Sequence, residues 1–194
     1  MMDEIANGKL FEIASGLSYH YVNGTWDTAL QLASMSEIEA LQFPNAFIDR
    51  ILQSDLFEKI LPNAYDWYEI GKYIFVHGFV PVISRGWGRN CRYRYKDDWR
   101  SATKYEWEQA RWLNGIRMAC EFNIKEPDKI IVVGHYHCSY GHSKIEHTSD
   151  EWGEDANFSP YRNEKKGIIA IDACTAETGK INCLVIGGEN YELV

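Results

Sequence analysis

The chain has 194 residues, 45% of them hydrophobic and 25% charged, the balance of an ordinary globular protein and a length that suits one domain. Its net charge of −8 repels polyanions, which excludes general nucleic-acid binding and attachment to an anionic membrane surface. No stretch approaches the roughly 20 apolar residues that span a bilayer, and the start, MMDEIANGKLFEIAS, lacks the basic and apolar regions of a secretory signal, which predicts a cytoplasmic protein.

In chain order, residues 1–24 are mixed and end on the turn signal Asn23-Gly24. Thr25 or Asp27 would cap a helix running to about residue 41, and Pro44 suits the first turn of a second helix carrying Phe47, Ile48, Ile51 and Leu52. Residues 1–64 therefore read as helical. The stretch DWYEIGKYIFVHG places two aromatic and β-branched runs around Gly71-Lys72, which predicts a hairpin whose second strand covers residues 73–76 and ends at His77. Trp112, Leu113, Ile116, Ala119 and Cys120 recur at spacings of three and four, predicting a helix over about 102–122. Three further strands are expected at 129–134 (KIIVVG), 167–172 (GIIAID) and 181–186 (INCLVI), the last two joined by a turn around 178–180. Their near-continuous Ile and Val runs imply a sheet buried on both faces. Residues 140–166 are polar and without periodicity, a loop long enough to be functional or mobile.

Chemistry concentrates in VVGHYHCSYGH, residues 132–142. His135 and His137 come after a buried strand, and in an extended chain imidazoles two residues apart point to one side, as adjacent metal ligands require. Two polar residues at a strand end are the alternative. His77 also directly succeeds an apolar strand and is itself succeeded by Gly78, so two strand ends could bring three imidazoles together, a donor set suited to Zn, Mn or Fe.

In order and spacing, FVHG, a long insert, VVGHYH, the GIIAID strand and INCLVI resemble the carboxy-terminal half of the calcineurin-like metallophosphoesterases, close to the bacterial and phage serine/threonine protein phosphatases. The likeness covers residues 65–194. It implies an α/β fold, here a partial metallophosphoesterase sandwich: a helical first third and then a mixed sheet bearing the metal-site histidines. By the same resemblance, His77 and His135 would ligate the second of two metals and His137 the first. In such a site two divalent ions about 4 Å apart hold a phosphate ester, and water activated by them attacks phosphorus in line. The implied activity is phosphate-monoester hydrolysis on a phosphoprotein. A dinucleoside polyphosphate or other small ester is the alternative substrate, and a non-catalytic interaction protein is the rival class.

The family's DxH, GDxxDRG and GNHE motifs do not occur in the sequence. By resemblance, MMDEIANGKL matches the helix after GNHE, so the first βαβαβ layer and the bridging carboxylate would be missing. This predicts a truncated product or one half of a split enzyme, with a separate N-terminal half as partner. The sheet is then expected to expose an edge and an apolar face.

Arg111, in KYEWEQARWLNG, resembles the arginine that related phosphatases send to the substrate phosphate; a solvated helix arginine is the other reading. His142 would contact substrate or support a ligand, or serve structure alone. Asp172 reads as a strand-end cap or as a partner orienting a ligand histidine. Cys138 should face away from the metal, and the five cysteines, without CxxC spacing, read as mostly reduced and buried. Residues 84–100 hold six basic side chains against two acidic, a net +4 that leaves −12 elsewhere. With Trp87, Tyr93, Tyr95 and Trp99 interleaved, the insert would grip a phosphorylated ligand or pack its rings on the domain.

Overall fold

The structure, a computed structural model, describes residue 14 and residues 18–22, 24–86, 91–187 and 190–193. The expected helix at 1–10 lies outside these, as do Trp87 and Arg89 of the basic insert. The chain divides into two units, residues 1–64 and 65–194. No helix among the described residues is long and apolar enough to cross a membrane.

The first unit is helical. After one turn at Tyr19–Val22 come α1 (Thr25–Ala33), α2 (Glu37–Gln42) and α3 (Pro44–Leu52). The single helix expected from residue 25 to 41 is thus two, because Ser34 turns left-handed at φ 50 and closes α1. Ser36 then opens α2 with a capping box: its hydroxyl accepts from the Glu39 N–H at 3.3 Å, and the Glu39 carboxylate accepts from the Ser36 N–H at 2.8 Å. The S-x-x-E spacing at 36–39 was the signal for this start. Trp26 and Phe47 meet edge to face at 5.4 Å in a core completed by Ala29, Ala33, Ala40 and Ile51.

The second unit is built on a mixed five-stranded sheet in the order β1-β2-β5-β7-β6. Its strands are β1 (Trp67–Ile70), β2 (Tyr73–Val76), β5 (Ile130–Val133), β6 (Tyr161–Asn163) and β7 (Ile168–Ala170). β2, β5 and β7 run parallel in the centre, and β1 and β6 close the edges antiparallel. The overall architecture is therefore α/β, a helical region and then a mixed sheet. Side chains alternate as strand geometry demands. Ile74, Val76, Ile131, Val133, Ile168 and Ala170 enter one core, while Tyr73, Val132 and Ile169 enter a second on the opposite face. Burying each isoleucine contributes about 1.5–3 kcal/mol.

Two helices, α4 (Lys104–Ala110) and α5 (Gly115–Cys120), pack Trp107, Ala110, Ile116, Met118 and Ala119 into the first core. The second core includes Leu184 and Ile186 from β8 (Leu184–Gly187), which pairs with β9 (Asn190–Leu193) in a separate ribbon. Here the structure departs from the expected hairpin between GIIAID and INCLVI. A short helix α6 (Thr175–Thr178) intervenes, and β7 pairs with β5 and β6 instead. Tyr73, Val132 and Ile169 are consequently buried, in place of the exposed apolar face expected from a missing layer.

The basic aromatic insert forms the hairpin β3 (Val82–Arg85) with β4 (Arg92–Tyr95); Tyr95, Trp99, Lys96 and Arg100 are committed to structure, while Arg85, Arg92 and Arg94 are exposed. Trp99 is fully buried. Glu126 accepts from Trp99 Nε1 at 2.8 Å, from Arg100 Nη1 at 2.8 Å and from the Tyr95 hydroxyl. Arg100 also bonds Glu69 on β1 at 2.8 Å, and Lys129 reaches the same carboxylate at 2.7 Å. Burial pushes the Glu126 pKa upward, but its three donors outweigh this and hold it below the usual carboxylate range. The Tyr95 hydroxyl, buried and facing that carboxylate, is pushed up to about 12.

A carboxylate with a lowered folded-state pKa contributes stability above its unfolded pKa and loses it as pH falls through the folded value. We expect Glu126→Gln to cost about 2–3 kcal/mol in urea unfolding at neutral pH, discounted because Arg100 is one-third exposed. The variant's deficit relative to the unmutated chain should shrink on acidification below the ordinary carboxylate range. An equal deficit at neutral and acidic pH would contradict this role for the ionised group.

Candidate functional site

The three central strands stop in register, with Val76 opposite Val133 and Val133 opposite Ala170. The residues just past the strand ends therefore collect at one edge of the sheet, the place where open α/β folds put their sites. His77 comes directly after β2, while His135 and Asp172 lie two residues past β5 and β7. The ladder continues slightly beyond the strands: the Gly134 N–H donates to the His77 carbonyl at 2.9 Å, and the Ile171 N–H to that of Val133 at 3.0 Å. The His77 and His135 rings sit 4.9 Å apart, tilted 49°.

β5 ends at Val133, and the chain does not stay extended into the histidine pair. His135 takes φ 58 and the Tyr136 N–H bonds the Gly134 carbonyl at 2.6 Å, a three-residue turn centred on His135. The turn is made by the histidine and not by Gly134. A left-handed histidine costs about 1–2 kcal/mol, and strain of this kind persists where neighbouring bonds over-determine it. Alternation stops before His137, so the relative direction of the two imidazoles is set by this turn and not by strand geometry. His137 stacks on Tyr136 at 5.0 Å and lies 4.2 Å from the Trp152 ring, with Nε2 3.2 Å from Glu151 Oε1. Lys144 holds the other Glu151 oxygen at 3.0 Å. Burial raises the Glu151 pKa, but the Lys144 and His137 bonds more than offset it and keep the carboxylate below its ordinary range.

The remaining sequence candidates are held mainly by structural bonds. Asp172 accepts from the Cys174 N–H through Oδ1 and from the Cys138 N–H through its carbonyl, both at 2.8 Å, and so ties the end of β7 to the turn after His137. Cys138 is buried, its thiol pushed up to about 12 by burial and donating to the Ala170 carbonyl at 3.1 Å. Both His142 nitrogens are engaged, Nδ1 with Glu146 at 2.8 Å and Nε2 with the Ser159 carbonyl at 3.1 Å. Arg111 donates through Nε to Asp66 Oδ1 at 3.0 Å.

Arg111 also lies outside any helix, because the helix expected over 102–122 is broken at 111–114. α4 starts with a Thr103–Glu106 capping box and stops where the Ala110 carbonyl accepts from the Phe79 N–H at 3.1 Å. α5 restarts with Asn114 Oδ1 accepting from the Arg117 N–H at 3.0 Å. The Asn114-Gly115 pair was the local signal for the break. Contact with Gly78 fixes its position: a Cβ on Gly78 would lie 2.4 Å from the Arg111 carbonyl oxygen and 2.6 Å from that of Ala110. The break swings Trp112 away from the core, 63% exposed, with its ring edge-on to His135 at 5.3 Å.

The structure thus brings together His77 and His135, with Trp112 against the latter, and directs His137 to Glu151. Burial, then the neighbouring His77, lower the His135 pKa, while Asp172 acts in the opposite sense. The lowering favours the neutral imidazole, the form that binds metals. Two imidazoles with rings 4.9 Å apart are the donors this end of the sheet offers. Among the described residues, no group of three His, Cys, Asp or Glu side chains is placed to hold a metal ion. Sequence reading had no route to Trp112, Asp66 or Glu151, since their partners lie far along the chain. No family model matches this sequence, and no curated protein or solved structure matches it.

Gly78→Ala forces the Ala110–Arg111 backbone away from the turn after β2, which we expect to cost about 3 kcal/mol of stability in urea unfolding, whereas Gly71→Ala, whose Cβ meets nothing, carries only its positive-φ penalty of about 1 kcal/mol. In NMR titrations His135 should titrate below the ordinary imidazole range, and His77→Ala should raise it part of the way back, leaving the share due to burial. An unchanged His135 titration in that variant would rule out the electrostatic pairing.

Proposed function

We propose that the chain contributes the histidine half of a metal-dependent phosphoesterase site that hydrolyses phosphate monoesters. The observation that carries this reading is the juxtaposition of two imidazoles, rings 4.9 Å apart, at the carboxyl ends of adjacent parallel strands. His77 and His135 would hold one divalent ion, Mn, Zn or Fe. Carboxylate ligands, which the resemblance places in the motifs DxH, GDxxDRG and GNHE, would complete a second position. A bound cation supplies charge neutralisation for phosphate oxygens and lowers the pKa of attacking water. The chain's own residues orient that centre: the ladder bond from Gly134 to the His77 carbonyl sets the spacing of the two histidines, and Trp112 shields one side of His135.

The resemblance favours a phosphoprotein as substrate. A small phosphate ester is the second reading, favoured by the aromatic surroundings of His135. A cytoplasmic site of action fits the five free thiols.

Metal content after equilibration with Mn and desalting tests the proposal. The unmutated chain should retain Mn, and the His77→Ala, His135→Ala double variant should bind it about 100-fold more weakly or worse, since even residues behind the ligands contribute about 10- to 100-fold. Release of phosphate from p-nitrophenyl phosphate in added Mn, lost in the same variant, supports hydrolysis. Equal metal content in both proteins overturns the site; retained metal without phosphate release overturns hydrolysis by this chain.

A further inference from the structure

Beside the histidine pair lies a cleft of about 270 Å³ whose walls include Tyr93, Trp112, Leu113, Arg117, Tyr136 and Tyr140. Two of these walls also touch His135: Trp112 edge-on at 5.3 Å and Tyr136 at 6.5 Å. Neither histidine lines the cleft itself, but Trp112 and Tyr136 connect it to His135. A larger cavity, about 610 Å³ between β3, β4 and α4, shares no wall with either histidine's ring contacts.

The walls are held in place by contacts outside the cleft. Tyr93 meets Phe122 edge to face at 5.0 Å, and Tyr140 stands perpendicular to Tyr136 at 5.3 Å. The Tyr140 hydroxyl donates to Glu121 Oε1 at 2.8 Å, and Arg117 Nε donates to Glu121 Oε2 at 2.9 Å. Arg117 is thereby paired through Nε with Glu121, and its guanidinium covers the Phe122 ring at 5.3 Å. The cleft offers a partner π-faces and ring edges beside the Asn114 amide, the Met118 thioether and the Arg117 guanidinium. Such a surface suits a flat ring, which loses little conformational entropy on stacking. Its volume is close to the lower end of small-molecule pockets, enough for one ring system and not for an extended chain.

We propose that this cleft seats the flat aromatic or heteroaromatic ring of a phosphate ester, so that ring-bearing phosphomonoesters are the substrate class of the histidine site. The phosphate end of this inference rests on the phosphoesterase reading; the ring end rests on the cleft alone. Trp112 and Tyr136 are the specificity-determining residues, because they form the two walls shared by cleft and histidine pair. A nucleoside monophosphate and phosphotyrosine present the same chemistry, a ring tethered to a phosphate.

Calorimetric titration of the full chain with adenosine monophosphate, phosphotyrosine and glycerol 3-phosphate, with and without Mn, separates the parts. Either ring-bearing ligand should bind about tenfold or more tightly than glycerol 3-phosphate, the scale of one aromatic stacking contact. The tighter of the two identifies the source of the ring. Trp112→Ala should bring the preference to within about threefold; Trp112 is mostly exposed, so the variant should fold. Tyr136→Phe, which keeps the ring, should retain the preference. A ring preference without any Mn dependence supports the cleft and overturns the phosphoesterase reading. Equal affinity for all three ligands, or a preference that survives in Trp112→Ala, overturns the cleft.

Discussion

The close approach of Gly78 to the Ala110 and Arg111 carbonyls is the constraint on which the rest of the site depends. A side chain at 78 would collide with backbone, which has no rotamer through which to yield. Because the position is glycine, the turn after β2 fits under the end of α4 and takes its terminal carbonyl in a hydrogen bond from Phe79. Gly115 joins the same contact: a Cβ there would lie 2.6 Å from the Gly78 carbonyl oxygen and 2.8 Å from a Val133 methyl. One small-residue contact thus breaks the helix, positions α5 on the sheet and delivers Trp112 to His135.

Around that contact the chain divides its charges between structure and site. In the basic insert Arg100, Lys96 and Tyr95 are committed to Glu126, Glu69, Glu106 and Asp98, while Arg85, Arg92 and Arg94 stay exposed on its hairpin. Arg111 is likewise held by Asp66. The described histidine site is left poor in free cations and rich in rings, with Trp112, Tyr136 and Trp152 around its imidazoles. Any anion bound there would depend on a metal for its countercharge, and any organic group on stacking.

Much of the fold was legible where local chemistry and periodicity agreed. The hairpin around Gly71-Lys72, the strand before His135, the strand after Gly167 and the helix opening at Pro44 all lie where the residues place them. The misreadings came from letting apolar spacing outrank punctuation. Ser36-x-x-Glu39 and Asn114-Gly115 mark helix starts inside stretches whose periodicity reads as one continuous helix. β6 escaped because three residues are too few to show a period, and its place at the sheet edge comes from pairing with β7.

The sequence by itself determined which segments are buried strands, that His77 and His135 come just after two of them, and that the molecule is an α/β protein with a helical first third. These rest on side-chain periodicity and glycine placement, which are properties of neighbouring residues. Tertiary structure alone decided that His135 turns left-handed, that Trp112 leaves the core to face His135, and that β8 lends Leu184 and Ile186 to the second face of the sheet. Each of those outcomes is set by a contact between residues distant along the chain. Such contacts are selected by volume and hydrogen-bond satisfaction in the folded interior, and no local pattern encodes them.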